Sequence, residues 1–264
     1  MLTHIAINGA AGRMGRRLIA LASQDPELKI VDCLEHAEHP EMGHDAGSLA
    51  GIRPIGVAVS PTLSGTVEAV IDFSVPAAAD TITAECVGNG VPLVMATTGL
   101  SPEQQQRVRN AAETIPVVWA PNMSLAVNLT MKLAETAARA LVDYPEGADV
   151  EIIERHHRFK EDAPSGTALK FGEQIAAVMK QSRHTHGRQG QTGPRGRDEI
   201  GYHAVRVGDN PGEHTIIFGL MGETVELTVR ASSRDCYALG ALAAAKFVAR
   251  KKAGLYNMYD VLGL

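Results

Sequence analysis

Near the amino terminus, residues 5–15 read Ile-Ala-Ile-Asn-Gly-Ala-Ala-Gly-Arg-Met-Gly, an apolar run followed by glycines at positions 9, 12 and 15. An amphipathic segment continues to about Ser23, so the pattern predicts a strand, a glycine turn and a helix. This is the setting of a dinucleotide-binding fingerprint. Gly9 would allow the tight turn, Gly12 the approach of a pyrophosphate, and Gly15 the packing of helix on strand. An ordinary strand-to-helix turn remains the alternative at this point.

An acidic residue at the right distance favours the nucleotide interpretation. The second apolar segment, Leu28–Leu34, ends at Glu35, 20 residues after the last glycine, where a carboxylate can bind the ribose hydroxyls of the adenosine. His36 and His39 follow, and two arginines lie on the first predicted helix, so a ribose 2′-phosphate stays possible. We expect NADH to be favoured and NADPH to be tolerated.

Strand and helix patterns then alternate as far as position 120, which predicts a Rossmann-like, doubly wound parallel sheet with right-handed crossovers. Ligands of such sheets bind at the carboxyl ends of the strands. Small or polar residues occupy the predicted strand ends, at positions 9–14, 35, 72–74, 96–99 and 120–124. Turn residues have the same composition, but their recurrence at five strand ends favours a cofactor cleft.

A different architecture begins after Ser124. A long helix is followed by the strand at Val150–Ile153, and later come three strands with no helix between them, near 200–207, 214–220 and 224–230. Consecutive strands are typical of antiparallel pairing. The pattern predicts a central α+β domain with a mainly antiparallel or mixed sheet, in a protein of the α/β class.

The centre of this second region is a cationic stretch that leads into a helix. Residues 154–168 read Glu-Arg-His-His-Arg-Phe-Lys-Glu-Asp-Ala-Pro-Ser-Gly-Thr-Ala, with two Arg, two His and one Lys between Arg155 and Lys160. Backbone N–H groups at Gly166 and Thr167 would open the helix, and together with the cations they suit a carboxylate or phosphate. Imidazoles add the capacity to transfer a proton near neutral pH. A solvated basic face with a simple helix cap is the plainer alternative.

Composition excludes several classes of protein. The 264 residues are 45% hydrophobic with a net charge of −5, which disfavours nucleic acid or an anionic membrane as the main partner. Three separated cysteines form no Cys-x-x-Cys pair, and no apolar run reaches the roughly 18–20 residues of a membrane span. We therefore expect a cytoplasmic protein that has no bound metal, no nucleic-acid partner and no membrane partner.

The histidines and the basic stretch 183–197 allow two other functions. A zinc hydrolase would draw on the ten His residues, but His156 and His157 are adjacent and no His-Glu-x-x-His helix occurs. A nucleotide-sensing regulator could bind nucleic acid through the basic stretch 183–197, which the sequence predicts to be an irregular, mobile loop. One Trp and five Phe offer little stacking surface for bases.

The stretch 154–168 resembles the signature of the 4-hydroxy-tetrahydrodipicolinate reductase family, long called dihydrodipicolinate reductase. The resemblance extends along essentially the whole chain, through residues 9–15, 96–99, 212–215, 231–235 and 255–264. It implies reduction of 4-hydroxy-tetrahydrodipicolinate, through dihydrodipicolinate, to tetrahydrodipicolinate by NADH or NADPH, in lysine and diaminopimelate biosynthesis. It also implies a homotetramer of two-domain chains, with a dinucleotide-binding domain of residues 1–125 and 235–264. Residues 126–234 would bind substrate and form the subunit contacts.

The resemblance assigns roles to individual residues. Hydride would pass to ring C4, with His156 as general acid and Lys160 as proton donor and carboxylate partner. His157, Gly166 and Thr167 would bind substrate. The implied cofactor contacts are Gly9, Ala10, Ala11, Gly12, Arg13, Met14, Glu35, His36, Ala96, Thr97, Thr98, Ala120, Pro121, Asn122 and Met123. His36 stands where many relatives carry Arg, which puts a preference for NADPH in doubt, and Ala96 replaces a common Gly.

Overall fold

The computed structural model describes residues 2–64 and 66–264. The chain divides into two compact units, Met1–Leu125 with Asp235–Leu264, and Ala126–Arg234. The first unit contains, in chain order, β1 (Thr3–Asn8), α1 (Arg13–Ala22), β2 (Leu28–Leu34), α2 (Ala46–Leu49), β3 (Val59–Ser60), β4 (Ala69–Asp72), α3 (Pro76–Asn89), β5 (Leu93–Met95), α4 (Pro102–Ala111) and β6 (Pro116–Trp119). The second unit contains α5 (Leu125–Leu141), β7 (Asp149–His156), α6 (Gly166–Met179), β8 (Arg183–His186), β9 (Glu199–Arg206), β10 (Glu213–Leu220) and β11 (Glu223–Arg230). The C-terminal segment adds α7 (Asp235–Val248), β12 (Gly254–Tyr256) and α8 (Met258–Leu262) to the first unit.

The sheet of the first unit confirms the predicted α/β, Rossmann-like class. Its strands are ordered β12-β6-β5-β4-β1-β2-β3, and every pair in it is parallel. Both faces are covered, because alternate residues of one strand enter different cores: Ile5 and Ile7 pack with α1 and α7, whereas Ala6 packs with α3 and α4. A central parallel strand buried on both faces explains the continuous apolar run at the start of the chain.

Glycine is required at two positions of the first turn. Gly9 has φ of +77°, and a Cβ there would lie 2.7 Å from the carbonyl oxygen of Phe73. A Cβ on Gly15 would lie 2.1 Å from the carbonyl oxygen of Gly9. The turn therefore folds back so closely on α1 that a side chain at Gly15 cannot be accommodated.

The sheet of the second unit is mixed. Its order is β11-β10-β7-β9-β8; β10 pairs antiparallel with β11 and β7, while β9 pairs parallel with β7 and β8. The parallel pairs follow from connectivity, because the chain between β7 and β9 contains α6 and is long enough for a crossover. The predicted mainly antiparallel or mixed sheet is thus confirmed in its mixed form.

Residues 183–197 differ from the irregular loop that the sequence predicts. Residues 183–186 form β8, an edge strand whose residues have no apolar pattern because they are largely exposed. Beyond it, Arg188 and Arg195 form ion pairs with Glu151 on β7. None of the helices among residues 2–64 and 66–264 is long and apolar enough to cross a membrane.

Candidate active site

A cleft of about 490 Å³ lies at the carboxyl ends of β1, β2 and β4 in the first unit. α1 begins at this cleft with Gly12 as its N-cap and without a side-chain cap, so its first N–H groups suit an anionic ligand. Glu35 reaches the same turn: its carboxylate accepts from the N–H of Ala11 at 3.3 Å and of His36 at 3.2 Å. The glycine turn and the acidic residue therefore form one site, although they are separated in sequence.

The residues expected to contact the cofactor are divided between this cleft and its surroundings. Gly9, Gly12, Glu35 and His36 line it. The others of the turn do not: Ala10 is fully buried in the core, Ala11 is held through its N–H, Met14 packs against the core, and Arg13 is exposed.

A second cavity of about 310 Å³ lies at the ends of β4, β5 and β6. Six expected residues line it: Ala96, Thr97, Thr98, Pro121, Asn122 and Met123. Ala120 does not, because it is buried in the core. Phe73 and Ser74 line both cavities, so the two cavities meet at the end of β4.

Buried polar groups hold the end of β4 in place. Asp72 is fully buried, and its Oδ1 accepts hydrogen bonds from Asn8 Nδ2 at 2.7 Å and Ser74 Oγ at 2.6 Å. The N–H of Ser74 donates to Thr97 Oγ1 at 3.0 Å. Burial raises the pKa of Asp72 above its usual value, and these hydrogen bonds oppose the shift.

Tyr237 is a site residue that the sequence did not reveal. It lies in the first turn of α7 and lines the second cavity. A Cβ on Gly240 would lie only 1.8 Å from the carbonyl oxygen of Met123, so α7 packs directly against the segment after β6. The glycine within an otherwise Ala-rich helix was the available signal for this contact.

The residues present fit a nicotinamide dinucleotide. Gly9 and Gly12 line the cleft without side chains that would fill it, the uncapped start of α1 offers N–H donors to a pyrophosphate, and Glu35 offers acceptors for ribose hydroxyls. The second cavity has the small and polar lining that a nicotinamide ring with its carboxamide requires.

In the second unit, His156 ends β7 on the buried face of the sheet. Period-two alternation places Ile152, Glu154 and His156 on that face, and their burial follows it. His156 Nδ1 lies 2.5 Å from Glu154 Oε2. Arg206, at the end of β9, donates to both oxygens of Glu154, at 2.8 Å and 2.7 Å. An imidazole, a carboxylate and a guanidinium are therefore joined at the ends of two parallel strands.

This network continues to the start of α6. The N–H of Ser165 donates to Glu154 Oε1 at 3.0 Å, and the Ser165 hydroxyl caps α6 by accepting from the N–H of Ala168. Ser165 Oγ also lies 3.0 Å from Nε2 of the buried His214. Gly166 and Thr167 form the first turn of α6, so the predicted helix start lies directly beside the His156 network.

Charge in this network is set by burial and pairing. Burial would raise the pKa of Glu154, but hydrogen bonds from His156 and Arg206 lower it to about 2. Burial, reinforced by the nearby His156, lowers the pKa of His214 to about 4. At neutral pH Glu154 is therefore a carboxylate and His214 an uncharged imidazole.

The remaining expected residues lie on the loop between β7 and α6. Lys160 Nζ contacts both oxygens of Asp162, at 2.7 Å and 3.0 Å, and Arg206 donates to the backbone oxygen of Asp162. His157 Nε2 lies 3.4 Å from Arg234 Nη2. His156, Lys160 and the helix start are thus connected through Glu154, Arg206 and Asp162.

These features define a class of protein. A doubly wound parallel sheet with a glycine turn and an acidic ribose position, together with a second unit that holds a buried histidine beside a helix start, is the arrangement of an oxidoreductase that uses a nicotinamide cofactor.

Comparison with known sequences identifies the family. Residues 3–123 match the family described as dihydrodipicolinate reductase, N-terminus, and residues 126–262 match dihydrodipicolinate reductase, C-terminus. The chain belongs to the dihydrodipicolinate reductase family. The 4-hydroxy-tetrahydrodipicolinate reductase of Rhodopirellula baltica is 59% identical over 98% of this chain and 96% of its own length. The enzyme of the same name from Nitrosomonas europaea is 47% identical over 99% and 98%.

Solved structures agree with this assignment. A dipicolinate-bound dihydrodipicolinate reductase from Paenisporosarcina sp. TG-14 is similar over 98% of this chain and 99% of its own, with a TM-score of 0.78 and 27% identity. An amine dehydrogenase from Mycobacterium smegmatis, at 12% identity and a TM-score of 0.59, shares the fold.

Proposed function

We propose that this chain reduces 4-hydroxy-tetrahydrodipicolinate, through dihydrodipicolinate, to tetrahydrodipicolinate with NADH or NADPH, in lysine and diaminopimelate biosynthesis. The observation that carries the proposal is the Arg206–Glu154–His156 network beside the start of α6. It combines a proton-transferring group with an anion-binding helix start, which a cyclic dicarboxylate with an imine requires. The family membership of the whole chain supports the same substrate.

Substrate binding is assigned to the second unit. The first-turn N–H groups at Gly166 and Thr167 would bind one carboxylate, and Lys160 would bind the other after exchanging its contact with Asp162, which is solvent-exposed. His157 would contribute a further hydrogen bond. Its Nδ1 is buried without a partner, a state that a bound ligand would relieve.

Proton delivery is assigned to His156, with Lys160 as a second donor. The bound nicotinamide would supply a hydride to ring C4 of the substrate. His156 would then protonate the ring position left electron-rich, and the ammonium of Lys160 would stabilise negative charge that develops on the substrate.

NADH is the proposed preferred cofactor. Two of the three arginines of α1 that could have bound a 2′-phosphate are engaged: Arg16 Nε donates to the carbonyl oxygen of Ala11 at 2.8 Å, and Arg17 pairs with Asp235 at 2.7 Å. Glu35 would meet the 2′-phosphate with like charge. The exposed Arg13 and His36, with the neighbouring His39, offer N–H donors that leave NADPH tolerated.

A homotetramer is the proposed assembly. One face of the second unit's sheet, defined by alternate residues of β7, β9, β10 and β11, carries Ile153 and Val205 at 38% and 42% exposure. A second copy would cover such a face. Sedimentation should give a mass four times the 28.0 kDa chain, and Ile153→Glu should lower it.

We also propose a cytoplasmic location, in keeping with three unpaired cysteines.

The test is cofactor oxidation by purified protein, with the condensation product of aspartate semialdehyde and pyruvate made in situ. NADH and NADPH are compared in parallel, and His156→Ala and Lys160→Ala serve as variants. We expect turnover with both cofactors, faster with NADH, and its collapse in both variants while cofactor binding survives. Tight cofactor binding without turnover would contradict the proposed substrate.

A further inference from the structure

Glu154 opens the motif 154–168, yet neither substrate binding nor proton delivery as described above employs it. Its side chain is fully buried. Both carboxylate oxygens are doubly engaged: Oε1 accepts from Arg206 Nη2 and the N–H of Ser165, and Oε2 accepts from Arg206 Nη1 and contacts His156 Nδ1. Burying a carboxylate costs free energy, which these four contacts from Arg206, Ser165 and His156 offset.

The arrangement decides which nitrogen of His156 carries a proton. Glu154 is ionised at neutral pH, since its pKa is about 2, and an ionised carboxylate can only accept. At 2.5 Å, Nδ1 must therefore be the donor, which leaves Nε2 as the nitrogen that gains and loses a proton. A Cβ on Gly212 would lie 2.9 Å from Nε2, and within residues 2–64 and 66–264 no group hydrogen-bonds to this atom.

We propose that Glu154, held by Arg206, is a positioning residue that keeps His156 in the Nδ1–H form and directs its Nε2 toward the substrate. The proposal rests on the proposed function for the identity of the reaction, but the tautomer of His156 is a property of the protein itself. Arg206 has the opposite electrostatic effect from Glu154, because its positive charge offsets the negative charge of the carboxylate.

The charged and titratable groups around His156 come from several elements. Glu154 is on β7, Arg206 on β9, His214 and Glu213 on β10, and Lys160 and Asp162 are on the loop before α6. His214 has its ring centroid 5.2 Å from that of His156 and is uncharged at neutral pH. Lys160 and Asp162 neutralise one another. Glu154 and Arg206 are therefore the pair whose removal should move the pH dependence of the reaction.

Two variants change this pair in opposite directions. In Glu154→Gln, the amide oxygen should take the place of Oε1, which accepts two N–H donors, so the amide NH₂ should face Nδ1 and favour the wrong tautomer. We expect kcat to fall by about 100-fold or more, while KM stays within about threefold of the wild-type value. The alkaline limb of the pH–kcat profile should move to lower pH than in the wild type. Arg206→Met should move that limb to higher pH. Glu161→Gln, an exposed charge change in the same loop, is the control and should match the wild type.

The decisive measurement is ¹⁵N NMR of histidine-labelled wild-type protein, with the His156 resonances assigned through His156→Gln. Imidazole nitrogen shifts distinguish the Nδ1–H from the Nε2–H form without any turnover, so the result stands even if the substrate is misassigned. An Nδ1–H wild type, an Nε2–H Glu154→Gln variant and opposite pH displacements support the proposal. An Nε2–H wild type, an unchanged tautomer in Glu154→Gln, or displacements of the same sign would overturn it. An unchanged far-UV circular dichroism spectrum and a cooperative unfolding transition establish that each variant is folded.

Discussion

The two sites of this protein differ in the chemical groups that form them. In the first unit the two cavities include small residues such as Gly9, Gly12 and Ala96, and Glu35 is the acidic residue that contacts the glycine turn. In the second unit the site is held by buried charged side chains, with Glu154 and Arg206 at its centre. A backbone site depends on shape and is lost when atoms are added. A charged site depends on protonation and on partners, so it is lost when charges are unpaired.

The largest expected effect tests the shape of the first site. In Gly15→Val, the new Cβ would lie 2.1 Å from the carbonyl oxygen of Gly9, a distance that only movement of the whole turn can relieve. We expect destabilisation by more than about 4 kcal/mol and loss of NADH binding. Chemical denaturation and fluorescence titration would measure both.

Gly88→Ala is the matched control for that variant. Gly88 lies in α3, and a Cβ there has no atom within 4 Å. We expect a gain of roughly 0.5–1 kcal/mol, because Ala is the better helix residue. If both glycine variants bound NADH normally, the turn would not be the tightly packed structure described above.

The second expected effect asks whether shape also matters at the charged site. In Gly212→Ala, the Cβ would lie 2.9 Å from His156 Nε2 at a backbone φ of +154°. His156 should be displaced, and we expect about a 100-fold fall in kcat/KM with NADH affinity unchanged. Gly219→Ala, in the strand β10 that follows Gly212, has its nearest contact at 3.7 Å and should retain full activity. Equal losses in both variants would point to a general defect of β10.

The same contrast explains what could be predicted from the sequence. The glycine spacing, the acidic position and the strand–helix alternation reveal the first unit, because a backbone site leaves a contiguous pattern and a strict requirement for glycine. Local signals of the same contiguous kind act elsewhere in this unit: Pro76 begins α3, and Ser101 forms a capping box with Gln104 at the start of α4. For the site in the second unit, the residue pattern indicated only the contiguous stretch 154–168.

Partners that come from distant segments were not predictable. Arg206 lies 52 residues from Glu154, and its role depends on the parallel pairing of β7 with β9, which consecutive strands without helices did not suggest. Tyr237 was missed for the same reason: residues 235–264 were assigned to the dinucleotide-binding domain, but nothing local shows that this side chain reaches a cavity lined by residues 73–123. Strand β8 was missed because an exposed edge strand of polar residues lacks the alternation that marks a strand.

A third prediction uses the pH dependence of stability to test the charged site of the second unit. The pKa of His214 is lowered from 6.5 to about 4 by burial, so the unfolded chain binds the proton more tightly than the folded one. Stability is therefore complete above pH 6.5 and is lost as the pH falls toward 4, by about 3 kcal/mol. In His214→Asn this part of the pH dependence should disappear from denaturation curves.

In the acid range below this window, Glu151 contributes to the pH dependence together with Glu154. The pKa of Glu154 is lowered from 4.5 to about 2, so its contribution is present above pH 4.5 and is lost as the pH falls from 4.5 to 2. Persistence of the slope between pH 6.5 and 4 in His214→Asn would assign it to another group and contradict the buried neutral histidine.

The smallest expected effect concerns the acidic group of the backbone site. Glu35→Gln keeps the size of the side chain and removes its charge, so the hydrogen bond to the ribose hydroxyls should weaken while repulsion of a 2′-phosphate disappears. We expect the Kd of NADH to rise about tenfold, a change of about 1.4 kcal/mol, and that of NADPH to stay constant or fall. Glu38→Gln, an exposed charge change three residues away, controls for net charge. Equal changes for the two cofactors in Glu35→Gln would mean that Glu35 only supports the turn through Ala11, and that selectivity has its origin elsewhere.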